Sequence, residues 1–173
     1  MEYLVRVTDY FQPLAEGGFY HIYNRGNNGE PIFFQERNYT YFLNKLNDYV
    51  GSYLNFYAYC LLPNHFHFLV QIKKLKEISP ELLQLPSGNK TLNNLETIVS
   101  EQFRRFFLSY SKSIKVQEGR TGSLFEKNFK RKQITNDQHL DWLVNYIHRN
   151  PETHGFINDF RNYSPSSYKS FLT

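Results

Sequence analysis

The sequence predicts an α+β protein: an antiparallel sheet, ferredoxin-like in outline, with helices packed on it. Three observations carry this. The segments follow the order strand, helix, strand, strand, helix, strand, helix. The two middle strands are joined by a turn as short as Pro63-Asn64, so they should pair antiparallel. Apolar residues recur at a period of two in the strand segments and at about 3.6 in the helical ones.

Each element has its own signal. Phe19-Tyr20-His21-Ile22-Tyr23 reads as a first strand, ended by the turn-rich Asn24-Arg25-Gly26-Asn27-Asn28-Gly29. Tyr39, Phe42, Leu43, Leu46 and Val50 recur at helical spacing, which predicts an amphipathic helix from about Glu36 to Tyr49, closed by Gly51. Asn55 to Leu61 and His65 to Ile72 form the predicted hairpin. Lys73 to Lys90, with Pro80, Pro86 and Ser87-Gly88, reads as an exposed connector. Leu92, Leu95, Val99, Phe103, Phe106, Phe107 and Tyr110 mark a second helix. After a loop at Gly119 to Gly122, the stretch Ser123 to Ile134 adds one or two strands. Thr135-Asn136-Asp137-Gln138 has the form of a capping box and opens a third helix, which Pro151 should end near Arg149. A Ser- and Tyr-rich tail runs from Phe160 to Thr173. The whole chain, residues 1–173, reads as one domain.

Composition narrows the class. A hydrophobic content of 40% with 18% aromatics excludes a disordered chain and supports a sizeable core. A net charge of +4 is compatible with a polyanionic partner. The lone Cys60 excludes an intramolecular disulfide and a thiolate zinc framework, and its apolar surroundings predict a buried, inert thiol. Met1-Glu2-Tyr3-Leu4-Val5-Arg6 lacks the layout of a signal peptide, and no apolar run reaches the roughly 20 residues needed to cross a bilayer. The expectation is a cytoplasmic protein without a membrane partner.

Chemistry enters with His65 and His67. In a strand they project to one face, while Phe66, Phe68 and Val70 project to the other. His-x-His has two readings: a pair of half-exposed strand histidines, or two ligands of one divalent metal ion that lacks a third and keeps positions open. The third helix bears on the choice. At roughly 100° per residue, Leu140, Leu143, Val144 and Ile147 form its core stripe, and Tyr146 falls well off it. Trp142, Tyr146 and Asn150 follow at four-residue spacing on a separate flank, with His148 directed elsewhere. Tyr146 reads as a boundary aromatic or a nucleophile, and Asn150 as a helix cap or a metal ligand. A phenol, whose pKa is ordinarily near ~10, attacks phosphate usefully only when a metal neutralises the developing charge. Two imidazoles and an amide oxygen make a platform suited to that.

These residues resemble the signature blocks of single-tyrosine HUH transposases, and most of all the REP-associated tyrosine transposases. Asn64-His65-Phe66-His67 and Asn145-Tyr146-Ile147-His148-Arg149-Asn150-Pro151 carry the resemblance. It extends to Tyr20-His21-Ile22-Tyr23-Asn24-Arg25-Gly26, to the basic segment from Arg120 to Lys130, and to Tyr163-Ser164-Pro165-Ser166-Ser167-Tyr168. The resemblance implies an HUH endonuclease/transposase type of fold. It also implies His65 and His67 as metal ligands, Tyr146 as the nucleophile and Asn150 as the third ligand, a position where relatives often carry Gln. The implied metal is Mg²⁺ or Mn²⁺. The implied reaction is transesterification of single-stranded DNA through a 5′-phosphotyrosine link, at hairpin-associated sites, by a monomer or homodimer.

Candidate DNA contacts are Lys127, Lys130, Arg131 and Lys132, interleaved with Phe125 and Phe129 as possible stacking surfaces. Arg104 and Arg105 on the second helix and Asn24 and Arg25 after the first strand are further candidates, each with a plain structural reading as a solvated face or a turn. Two alternatives stand beside DNA transposition. One is a domesticated nickase acting on genomic repeats, which flanking DNA would distinguish. The other is a non-catalytic nucleic-acid-binding protein on the same scaffold. A replication-initiator nickase fits less well, because there is no second tyrosine on the same helix and no helicase domain.

Overall fold

The structure is a computed structural model and describes residues 11–83 and 94–171. Its elements are β1 (Phe19–Arg25), α1 (Arg37–Val50), β2 (Leu54–Leu62), β3 (His65–Ile72), α2 (Leu95–Glu118), β4 (Lys130–Ile134) and α3 (Asp137–Thr153). The strands form one antiparallel sheet in the order β2-β3-β1-β4. The predicted α+β class and the β2–β3 hairpin are therefore present. Ser123 to Ile134 supplies one strand, β4. The predicted connector contains short 3-10 turns at Leu75–Glu77 and Pro80–Leu83. Ile78 between them is buried in the core, so the connector is not wholly exposed, and its residues 84–90, together with Leu92, lie outside the described residues.

Side-chain alternation gives the sheet two unlike faces. Tyr20 and Ile22 of β1 and Phe66, Phe68 and Val70 of β3 point toward α1 and α2. There Phe42 of α1 meets Phe106 at 4.9 Å and Tyr110 at 4.8 Å, both edge-on, in the geometry aromatic rings favour. The opposite face holds a smaller core in which Ala58, Cys60 and Leu62 of β2 and Leu69 of β3 pack against Leu143 and Ile147 of α3. Cys60 is buried, and burial pushes its thiol pKa far up, so it stays protonated. Among the described residues, no helix is long and apolar enough to cross a membrane.

Two helix-end expectations need correction. The N-cap of α3 is Asn136, whose side chain accepts from His139 N at 2.8 Å, so Thr135 and Gln138 form no capping box. Nor does Pro151 end the helix. It sits buried inside the last turn, where the missing N–H removes only one helical bond. The stop is Gly155, at φ 72°: Phe156 N donates to the Pro151 carbonyl (2.9 Å) and Gly155 N to that of Glu152 (3.0 Å). Those two bonds across a left-handed glycine are a Schellman motif.

The C-terminal block covers the free edge of β2. Leu61 N donates to the Pro165 carbonyl (2.8 Å), Ser167 N to that of Tyr59 (3.0 Å), and Tyr163 Oη to that of Leu61 (2.8 Å). Such cover removes an exposed edge from the sheet. His148 is buried and its Nε2 lies 3.0 Å from Ser167 Oγ, which ties α3 to this block.

Candidate active site

The smaller face of the sheet carries the site. The β1–β3 register sets Tyr23 opposite His67 and Arg25 opposite His65. On the other side of β1, Lys130 of β4 lies opposite Tyr23, and Lys132 opposite His21. The end of α3 crosses above, and the space between is a cleft of about 410 Å³ lined by His65, His67, Tyr146, Lys130, His154 and Asn64.

The protonation of His65 follows from its neighbours. Asn64 Nδ2 donates to the Gly29 carbonyl (3.1 Å), so its Oδ1 is the acceptor facing His65 Nδ1 at 2.7 Å. Nδ1 therefore holds the ring proton. Burial lowers the His65 pKa, opposed by the contact with Asn150 and reinforced by His154 and Arg25. The neutral ring then directs an unprotonated Nε2 at Asn150 Oδ1, 3.2 Å away. Asn150 is fully buried and its Nδ2 has no partner. Two lone pairs facing each other need a cation between them; without one, turning the amide over restores a hydrogen bond.

His67 is more deeply buried, at 6% exposure, and its Nδ1 lies 2.9 Å from His21 Nε2. Burial drives its pKa well below the usual value, aided by His21, His65 and His154. Burial likewise brings His21 down to about 3, with His139 and Lys132 contributing. Both rings are neutral at pH 7.

Tyr146 stands edge-on to His67, with ring centroids 5.5 Å apart and planes at 79°. On its other side it stacks on Trp142 at 5.1 Å and 14°. Trp142 is 57% exposed, so the pair runs from solvent into the cleft. The four residues His65, His67, Tyr146 and Asn150 thus meet within one chain. Their donor set, two neutral imidazoles and an amide oxygen, suits a divalent ion of the Mg²⁺ or Mn²⁺ kind, and each imidazole is oriented through its other nitrogen, as metal-binding histidines are. Among the described residues, no three of His, Cys, Asp and Glu form a metal-holding group.

The predicted DNA contacts separate into groups. Lys130 lines the cleft, with Nζ 3.4 Å from Glu126 and 5.8 Å from the Tyr23 ring centre. Glu126 also pairs with Arg25 at 3.3 Å, so one carboxylate steadies two cations at the rim. Lys132 shares their sheet face. Arg131, one residue out of phase, points the other way: its Nη1 donates to Ser100 of α2 (2.8 Å), and burial lowers its pKa. Lys127, Arg104 and Arg131 line a separate groove of about 810 Å³ beside α2, floored by Phe107 and Phe129. Arg104 and Arg105 both bind Glu101, at 2.7 and 3.0 Å, on the α2 surface. Asn24 is buried, reaches both cavities, and accepts from Arg25 N (2.9 Å). Phe125 is a core residue, 6% exposed and packed on Phe107, so only a small part of its ring reaches the groove it borders.

Sequence reasoning missed His21, Tyr23 and His154. His154 continues the ladder Trp142, Tyr146, Asn150 by one more step of four, and its ring lies 5.1 Å from His65. The helix end expected at Pro151 hid that step. His21 is brought to His67 by strand pairing, which a single sequence does not display.

The structure thus has a helix-borne tyrosine beside a His-x-His strand on an antiparallel α+β sheet, as the sequence resemblance predicts. More narrowly, the chain resembles the REP-associated tyrosine transposases in sequence and in fold. A curated protein of Haemophilus influenzae, named "Putative REP-associated tyrosine transposase", is 22% identical over 174 residues, spanning 94% of this chain and 86% of that protein. A solved REP-associated tyrosine transposase bound to a REP hairpin superposes with a TM-score of 0.69 at 14% identity, covering 94% of this chain and 84% of that one. No family model matches the chain.

Proposed function

We propose that this protein is a metal-dependent transposase that nicks and rejoins single-stranded DNA beside a hairpin. The observation that carries the reading is the meeting of Tyr146 with His65 and His67 in one cleft of one chain, with Asn150 buried against His65. The hairpin as partner is supported by the solved relative, which is bound to one.

His65, His67 and Asn150 would hold Mg²⁺ or Mn²⁺, which when bound polarises a phosphoryl oxygen and offsets charge as it develops. The protein's own groups do the rest. Tyr146 Oη attacks the scissile phosphorus; the O–P bond forms as the bond to the 3′-oxygen breaks. The 3′-oxygen leaves as a hydroxyl, so the proton lost by the phenol is balanced there. A different 3′-hydroxyl reverses the step and frees the tyrosine, and no nucleotide cofactor is consumed. Lys130 and Arg25, both paired with Glu126 at the rim of the cleft, would contact the strand's phosphates.

The test is a denaturing gel of the protein incubated with labelled hairpin-bearing single-stranded DNA and Mn²⁺ or Mg²⁺. The expected result is a covalent adduct, absent in Tyr146→Phe and after chelation. Tight binding with no adduct across a broad hairpin library would overturn the enzyme reading in favour of a binding protein.

A further inference from the structure

We propose that His21 is a positioning residue for His67: it accepts the hydrogen bond from His67 Nδ1 and so fixes His67 with its unprotonated Nε2 toward the cleft. This rests on the reading of the cleft as a metal site.

The argument begins with strand pairing. His21 lies opposite Leu69, which makes it a diagonal neighbour of His67 on the same sheet face. The rings stack at 5.1 Å and 28°, with His21 Nε2 2.9 Å from His67 Nδ1. Two neutral imidazoles sharing one such bond leave two arrangements, because one nitrogen must donate and the other accept. If His21 donates, His67 carries its own proton on Nε2 and turns an N–H to the cleft, where it cannot ligate. If His67 donates, its Nε2 lone pair faces the cleft.

His65 shows which arrangement the site is built for. Its Nδ1 is held by Asn64 Oδ1 at 2.7 Å, leaving Nε2 free of the proton. The two strand histidines are thus gripped at the same ring position, one by a turn residue and one by a neighbouring strand. His21 is itself fixed. It stacks on Tyr23 at 4.6 Å and 28° and meets the edge of Tyr146 at 6.1 Å. An acceptor clamped on both sides sets the direction of the His67 ring.

A purely packing role for His21 makes a different prediction, since phenylalanine would fill the same space. The test pairs His21→Phe, which keeps the ring and removes the acceptor, with His21→Gln, whose amide oxygen can restore it. Long-range nitrogen–proton correlation spectra of the metal-free protein, labelled at histidine, should show His67 as the Nδ1–H tautomer. Mn²⁺ titration followed by electron paramagnetic resonance should show about 10- to 100-fold weaker binding in His21→Phe, and a loss of no more than about threefold in His21→Gln. At pH 7.5 the thermal melt of metal-free His21→Gln should match that of the parent protein, while His21→Phe should melt lower, because it leaves the buried His67 N–H without an acceptor.

Observation of His67 as the Nε2–H tautomer would overturn the proposal, as would equal Mn²⁺ affinity in His21→Phe and the parent. Should His21→Phe fail to fold, the tautomer spectrum of the parent and the Gln variant still decide. If the parent binds no Mn²⁺ at all, the metal reading fails, while the tautomer result separately judges the His21–His67 bond.

Discussion

The two faces of the sheet are made by the same strands and do opposite things. Toward α1 and α2, β3 contributes Phe66, Phe68 and Val70 to an aromatic core. Toward α3 it contributes His65 and His67, which burial keeps neutral and which lie beside an amide group with an unpartnered nitrogen. Burying polar groups without full hydrogen bonding costs free energy, so the second face depends on the first for its rigidity. One face supplies stability and the other accepts a local deficit, which is the usual condition of a reactive site.

Substitutions can separate the two faces. Tyr146→Phe should reduce adduct formation by on the order of 10³-fold or more, while denaturant unfolding moves by less than about 0.5 kcal/mol, since the half-buried ring is retained. Phe66→Ala, on the neighbouring residue of the histidine strand, should do the reverse: about 3–5 kcal/mol lost in urea unfolding. If Phe66→Ala unfolds at the parent's midpoint, the division of labour between faces is wrong.

Acid should strike the histidine face first. His21 has a folded pKa of about 3, below its ordinary value of 6.5, so below about pH 6.5 the unfolded chain binds a proton that the folded one refuses. Stability therefore falls as pH drops through that window, by up to about 1.4 kcal/mol per pH unit for this ring. Thermal melts between pH 7.5 and 4.5 should show the slope, and His21→Phe should make it shallower, with His65 and His67 still contributing. Asn150→Ala should change unfolding free energy by no more than about 1 kcal/mol in either direction, because it removes a buried amide with one end unpartnered along with its contact to His65, yet weaken Mn²⁺ binding about tenfold. Smallest of all, Lys130→Ala should lower the salt dependence of single-stranded DNA binding by about one counterion while leaving the melt unchanged.

How much of this was legible depended on how local the signal was. The His65–Ile72 strand, its paired histidines and the core stripe of α3 follow from periodicity, and the structure has them at those positions. What local pattern misjudged was the end of α3. Proline was read as a stop when the controlling residue is Gly155, four positions on, and the extra turn carries His154 to the rim. Long-range pairing was not legible at all. The bond between His21 and His67 spans 46 positions and exists only because β1 pairs with β3. The basic segment shows the same limit. Lys130, Arg131 and Lys132 look equivalent in sequence, but strand alternation sends Arg131 to Ser100 and the helix side.

Trp142 is the one tryptophan in the chain, and it lies flat against Tyr146. The protein thus carries a native optical reporter beside its proposed nucleophile. Esterifying the phenol would alter both the charge and the packing on one side of the indole. Formation and release of the DNA link should then appear as a change in fluorescence emission in real time, without a label and without stopping the reaction.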